Sequence, residues 1–252
     1  MNAPIVLLHG LMGTLQLPEI ASQLSPDAIA PDLLGYGQHG QITSSAISLD
    51  AQVAHVKAII TSAFDDRPVH LVGHSVGGVV AMLFAAAYPD RVSRIVSVEG
   101  NFTLNDAFWS ASVARMTPTQ AEQMLRGFRA NLPAWLGRSG IAASPAALQV
   151  AERWLHHQPA STVRAMARSV VAVTGERTYL ATLQTVFGAH PVHLLAGERS
   201  RPGWDVPAWA EAQCASSVVL PGTGHMMMLE DTAAFVTVVR DMLTGDVAPS
   251  PS

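Results

Sequence analysis

Short apolar runs bounded by glycine and proline recur along this chain, and longer stretches with helical spacing lie between them. Residues 5–8, 69–72, 92–98, 192–196 and 217–220 are rich in Val, Ile and Leu, the pattern of strands buried on both faces. Residues 28–31 read as a further strand. Between them, 15–24 predicts a short helix, and 49–64 carries Val53, Val56, Ile59 and Ile60 on one helical face until Asp65-Asp66-Arg67-Pro68 stops it. Residues 79–88 and 232–243 predict two more helices. Strands alternating with helices at this pitch predict an α/β fold, a mostly parallel sheet of about six strands covered by helices on both faces. The rhythm breaks between 101 and 184, where helical stretches are punctuated by Pro118, Pro133, Pro145 and Pro159. The expected organisation is therefore a sheet domain formed by 1–100 and 185–244, a helical lid at 101–184, and a disordered Pro/Ser/Ala-rich tail at 245–252.

Composition narrows the partners. Hydrophobic residues make up 49% of the 252, enough for a substantial core, and charged residues only 13%. A net charge of -4 gives no footing for nucleic acid or an anionic membrane. Lys57 is the only lysine, so a Schiff base has one possible site. Cys214 is the only cysteine, which excludes an internal disulfide. There is no metal-ligand spacing, and the adjacent pair His156-His157 would point its rings apart on a helix, so no metal is expected. The first residues lack a basic segment and a long apolar run, so a cytoplasmic protein is the expectation.

The sharpest chemical signal is Gly73-His74-Ser75-Val76-Gly77, followed by Gly78. It joins an apolar run to a helical one, the strand-turn-helix context that exposes a nucleophilic serine on a tight turn. Small residues two before and two after Ser75 let the backbone turn without clashes. Ser75 is read as a catalytic nucleophile.

Three further segments join this one in order: Ile5-Val6-Leu7-Leu8-His9-Gly10, Pro31-Asp32-Leu33-Leu34-Gly35-Tyr36-Gly37, and Gly222-Thr223-Gly224-His225. Together the four resemble the α/β-hydrolase superfamily over essentially the whole chain. They match its third strand and oxyanion loop, its D-x-x-G-x-G turn, its nucleophile elbow and its late histidine loop. The resemblance implies that family's sheet without its first two strands, and it implies no cofactor.

A serine hydroxyl is a poor nucleophile until a base takes its proton, and that base must be held in one tautomer. His225 is the candidate base. By resemblance, His9 shapes the oxyanion loop and His74 merely precedes the nucleophile. The oxyanion hole needs two backbone N–H groups; Val76 would supply one and, by resemblance, Leu11 the other. The acid is open at this stage. The superfamily's usual position, after its seventh strand, reads Gly197-Glu198-Arg199-Ser200, with serine where aspartate would stand. Asp205 follows five residues later, and Glu198 is a third candidate. Glu99 closes the apolar strand after the elbow helix, where a minority of the superfamily, including many haloalkane dehalogenases and zearalenone-type lactonases, places a glutamate. Glu99 is preferred, Asp205 is the alternative, and Asp32 is read as a turn residue.

Bulky side chains concentrate in the insert, and Met226-Met227-Met228 directly follow the base. Met12, Trp109 and Met226 are candidate substrate contacts, fitting a medium-sized, largely uncharged ester, lactone or thioester. The resulting expectation is a serine hydrolase working through an acyl-enzyme, as monomer or homodimer. A carboxylate-nucleophile dehalogenase or epoxide hydrolase is disfavoured by Ser75. Two rivals share the fold: a cofactor-independent dioxygenase, marked by substrate-dependent oxygen uptake, and a slow-turnover ligand receptor, marked by tight binding without steady-state rate.

Overall fold

The computed structural model describes residues 3–245, so the expected tail at 245–252 lies, from 246 onward, outside the described residues. The apolar runs form one parallel sheet of six strands. In chain order these are β1 (Ile5–Leu8), β2 (Ala28–Ile29), β3 (Val69–His74), β4 (Val92–Val98), β5 (Val192–Gly197) and β6 (Ser216–Leu220), arranged β2-β1-β3-β4-β5-β6. Helices α1 (Pro18–Leu24), α2 (Leu49–Phe64) and α3 (Val76–Ala87) alternate with the first strands. Between β4 and β5 the chain forms α4 (Phe108–Arg115), α5 (Pro118–Ala130), α6 (Leu132–Arg138), α7 (Pro145–His156), α8 (Ala160–Thr174) and α9 (Arg177–Ala189). It closes with α10 (Ala208–Gln213), α11 (Met227–Glu230) and α12 (Thr232–Thr244). No helix among the described residues is long and apolar enough to cross a membrane.

Three departures from the sequence pattern have physical causes. β2 keeps only two of the four expected residues. It is an edge strand, and Pro31 has no N–H to extend its ladder. Helix α3 begins at Val76, earlier than its glycines suggest. A Cβ on Gly77 would stand 2.1 Å from the Leu8 carbonyl oxygen, so packing of α3 on β1 selects glycine there and overrides helix propensity. The expected boundary at 184 falls inside α9, which packs against α3 of the sheet domain as well as against α8.

The segment leaving β4 for the helical insert is organised by one buried carboxylate. Asp106 accepts hydrogen bonds from the Phe102 and Thr103 amides at 2.9 and 3.2 Å, with Asn101 Nδ2 at 3.4 Å. Burial, opposed by those donors and aided by the charge of Asp205, raises its pKa to about 6. A carboxyl whose folded pKa lies above its unfolded value holds its proton more tightly when native. Its contribution to stability is therefore full at low pH and is lost as pH rises from about 4 to about 6. The stability of wild type minus that of Asp106→Asn, measured by urea unfolding, should fall by up to about 3 kcal/mol over that window. A flat difference would show that Asp106 is not held protonated.

Candidate active site

Ser75 stands between β3 and α3 at φ 54° and ψ -121°, a conformation costly for any side-chain-bearing residue. It is held by its N–H to the Val98 carbonyl at 2.9 Å, while the Gly78 N–H returns to the Ser75 carbonyl at 2.8 Å. Glu99, the first residue beyond β4, also has positive φ, at 45°, and its N–H bonds Leu195 O at 3.0 Å. The turn aims a buried carboxylate at the histidine loop. Glu99 Oε2 lies 2.5 Å from His225 Nδ1, and Oε1 accepts from Ser200 Oγ at 2.5 Å and the Gly197 amide at 2.8 Å. Burial alone would raise the Glu99 pKa; the hydrogen bond and charge of His225, with the Ser200 and Gly197 donors, outweigh it and hold the carboxyl below its ordinary value. An anionic Glu99 accepts a hydrogen bond from Nδ1–H and so keeps the ring proton on Nδ1, which leaves His225 Nε2 as the acceptor. The His225 side chain is 44% exposed and Ser75 is half-buried, so both can be reached from outside.

His74 does more than precede Ser75. Its Nε2 donates to the His225 carbonyl at 2.9 Å, and the two rings lie 4.6 Å apart. Burial, with the His225 charge, lowers the His74 pKa to about 3, so it serves as a neutral donor. No sequence pattern announces this contact, which spans 151 residues.

The loop after β1 abuts the same spot: a Cβ on Gly10 would come within 3.2 Å of Ser75 Cβ. His9 Nδ1 donates to Gly10 O at 2.9 Å while its Nε2 accepts from Leu33 N at 3.3 Å. The Gly10–Leu11 peptide, whose N–H belongs to Leu11, is thus gripped by its carbonyl. Burial lowers the His9 pKa to about 4, which keeps that tautomer neutral. Tyr36 Oη holds the next carbonyl, Leu11 O, at 2.9 Å. Val76 opens α3, where a first-turn N–H has no intrahelical acceptor. Val76 thus adjoins Ser75 at the start of α3, and Leu11 follows the glycine that packs against Ser75.

The helical insert grips the segments that follow β1 and β2. Gln158 Oε1 accepts the Gly13 N–H at 3.0 Å, and His157 Nε2 donates to Asp32 Oδ1 at 2.8 Å. Asp32 also takes Gln16 Nε2 at 3.0 Å and the Gln38 amide at 3.1 Å, so it is both a turn residue and an anchor for the insert. His156 turns away to Glu152, apart from its neighbour.

The other acids are engaged elsewhere. Asp205 Oδ2 accepts from Thr103 Oγ1 at 2.6 Å and Asn105 Nδ2 at 2.9 Å, at the exposed foot of the insert. Glu198 Oε2 accepts the Gly222 amide at 2.7 Å. Arg199 binds the Gly222 carbonyl, Glu230 and, at 3.2 Å, Ser139 O, and Glu230 Oε1 accepts the Gly224 amide at 2.8 Å. These bonds fasten the loop that carries His225. Met226 is buried in the core next to His225, and Met12 and Trp109 are half-buried against that core. No group of three or more His, Cys, Asp or Glu among the described residues could hold a metal ion.

The sequence profile of the alpha/beta hydrolase family matches residues 5–238, and the chain belongs to that family. It is 26% identical over 269 residues to 2-hydroxymuconate semialdehyde hydrolase of Pseudomonas sp. (strain CF600), covering 95% of this chain and 86% of that one. It is 30% identical over 114 residues to Lipase 1 of Psychrobacter immobilis, covering 44% of this chain but only 34% of the lipase. Among solved structures, a thermophilic esterase from Thermogutta terrifontis superposes with a TM-score of 0.67 at 20% identity, covering 97% of this chain and 90% of that one, a likeness of fold.

Proposed function

We propose that this chain is a serine hydrolase that cleaves a carboxylic ester, lactone or thioester through an acyl-enzyme. The observation that carries the reading is the 2.5 Å contact of His225 with Glu99, in a loop hydrogen-bonded to the residue preceding Ser75. Ser75 Oγ attacks the acyl carbon and its proton passes to His225 Nε2, while Glu99 stabilises the resulting imidazolium. The Leu11 and Val76 N–H groups receive the oxyanion. Collapse of the tetrahedral intermediate expels the alcohol or thiol, which takes the proton from His225, and water then repeats the sequence on the acyl-Ser75. Met12, Trp109 and Met226 offer apolar contacts that suit a medium-sized, uncharged substrate.

A second reading is hydrolysis of a carbon–carbon bond next to a ketone. It is favoured by the relative matched over 95% of this chain, whose name is that of a semialdehyde hydrolase. The same serine, base and oxyanion donors would serve it. Turnover of p-nitrophenyl esters of graded acyl length, by wild type and Ser75→Ala in parallel, separates the two. Ser75-dependent release with a maximum at one chain length supports the ester reading and measures the acyl pocket. Absence of such release in folded protein sinks it, and cleavage of a vinylogous diketone instead would select the carbon–carbon reading.

A further inference from the structure

Away from Ser75, helices α5 and α8 and the turn Ser44–Ala46 enclose an open groove of about 1050 Å³. Arg126 projects into it from α5, and Arg164 and Arg168 from α8. None of the three pairs with a carboxylate among the described residues, and Arg164 alone is engaged, through Nε to the Met116 carbonyl at 2.5 Å. Glu122 is the single acid on the wall. Arg164 and Arg168 are four residues apart on one helix, the spacing at which like charges repel, and Arg126 faces them across the groove. A chain with 19 acidic and 15 basic residues has gathered three arginines here against one acid, Glu122, which stands four residues before Arg126 on α5.

The same groove receives the start of α8. Its N-cap is Pro159, which offers no side-chain acceptor, so the Ala160 and Ser161 amides at the positive end of a 15-residue helix are uncapped. By contrast, α5 is closed by a complete capping box from Thr117 and Gln120. Ser44, Ser45 and Ser161 add hydroxyls along the wall.

We infer that this groove is a binding site for a small phosphate-bearing ligand, separate from the Ser75 centre. Several guanidiniums spread over two helices, together with a helix N-terminus, match the bidentate acceptors and multiple charge of a phosphate or diphosphate. A single carboxylate would leave most of that charge unanswered. The volume is at the upper end for organic ligands, which suits a diphosphate carrying an organic group. The net charge of -4 opposes an extended polyanion such as nucleic acid, leaving a compact ligand as the occupant.

The test is calorimetric titration of the full chain with inorganic phosphate, pyrophosphate, ADP and phosphatidic-acid vesicles at fixed ionic strength. It uses wild type, Ser75→Ala and the double variant Arg126→Gln/Arg168→Gln. Both arginines are exposed and make no hydrogen bond among the described residues, so the double variant should melt at or above the wild-type temperature. Saturable binding of pyrophosphate or ADP is expected, unchanged in Ser75→Ala and weakened by about tenfold or more in the double variant, as loss of two charge-assisted contacts requires. No saturable binding to wild type, equal binding to the double variant, or loss in Ser75→Ala would each overturn the assignment. So would binding only to phosphatidic-acid vesicles, which would make the groove a membrane contact. A double variant that failed to fold would be replaced by Arg168→Gln alone, judged by the same criterion.

Discussion

Glu99→Gln should lower kcat by about 10²–10⁴ on whatever acyl substrate proves best, while Asp205→Asn stays near wild type. The amide keeps the size of the side chain but cannot hold the Nδ1 proton of His225 as a carboxylate does. It can present its NH₂ to the ring and favour the wrong tautomer, and it cannot stabilise an imidazolium. KM should change little, because Glu99 is buried behind His225 and does not face the substrate side. Asp205 serves the foot of the insert through Thr103 and Asn105, so its loss belongs in stability and not in turnover. The reverse pattern, with Asp205→Asn inactive and Glu99→Gln active, would move the acid and require the loop after β5 to rearrange.

This pair also shows where reading the sequence stops. Ser75 announces itself because the turn demands small neighbours at fixed offsets, a constraint written within five consecutive residues. The strands are equally local, since apolar runs of this length have few other fates in a parallel sheet. The acid is different. Glu99, Glu198 and Asp205 all lie near the ends of β4 and β5, and sequence spacing could not rank them beyond a preference. What favours Glu99 is expressed in contacts 98 to 126 residues apart: Gly197 N and Ser200 Oγ on one carboxylate oxygen, His225 on the other. Ser200 stands where the family's aspartate usually stands, and it donates to Glu99, the proposed acid. The roles of His74, His157 and Gln158 were illegible for the same reason. Each acts on a carbonyl, carboxylate or amide that only the folded chain brings near.

Gly197→Ala should lower kcat by about 10²-fold and cost about 1–3 kcal/mol of stability, although residue 197 carries no chemistry. The loops bearing the proposed acid and base meet at this glycine. A Cβ there would lie 2.4 Å from the Gly224 carbonyl oxygen and 2.8 Å from Gly224 Cα, both backbone atoms that cannot swing aside. Relief requires the histidine loop to retreat from β5 by roughly an ångström, and His225 is the next residue in that loop. The retreat also works against the straps from Glu198, Arg199 and Glu230, so it cannot be spread along a slack segment. The Gly197 amide holds Glu99 Oε1, so acid and base would be displaced relative to each other and not as a unit. Gly203→Ala is the matched control: a Cβ there meets nothing within 4 Å, and activity should be unchanged. Both variants should be measured for kcat, KM and urea midpoint. A Gly197→Ala protein as active as wild type would mean that the histidine loop finds its working position only with substrate bound, so that the separation seen between β5 and Gly224 does not govern the chemistry.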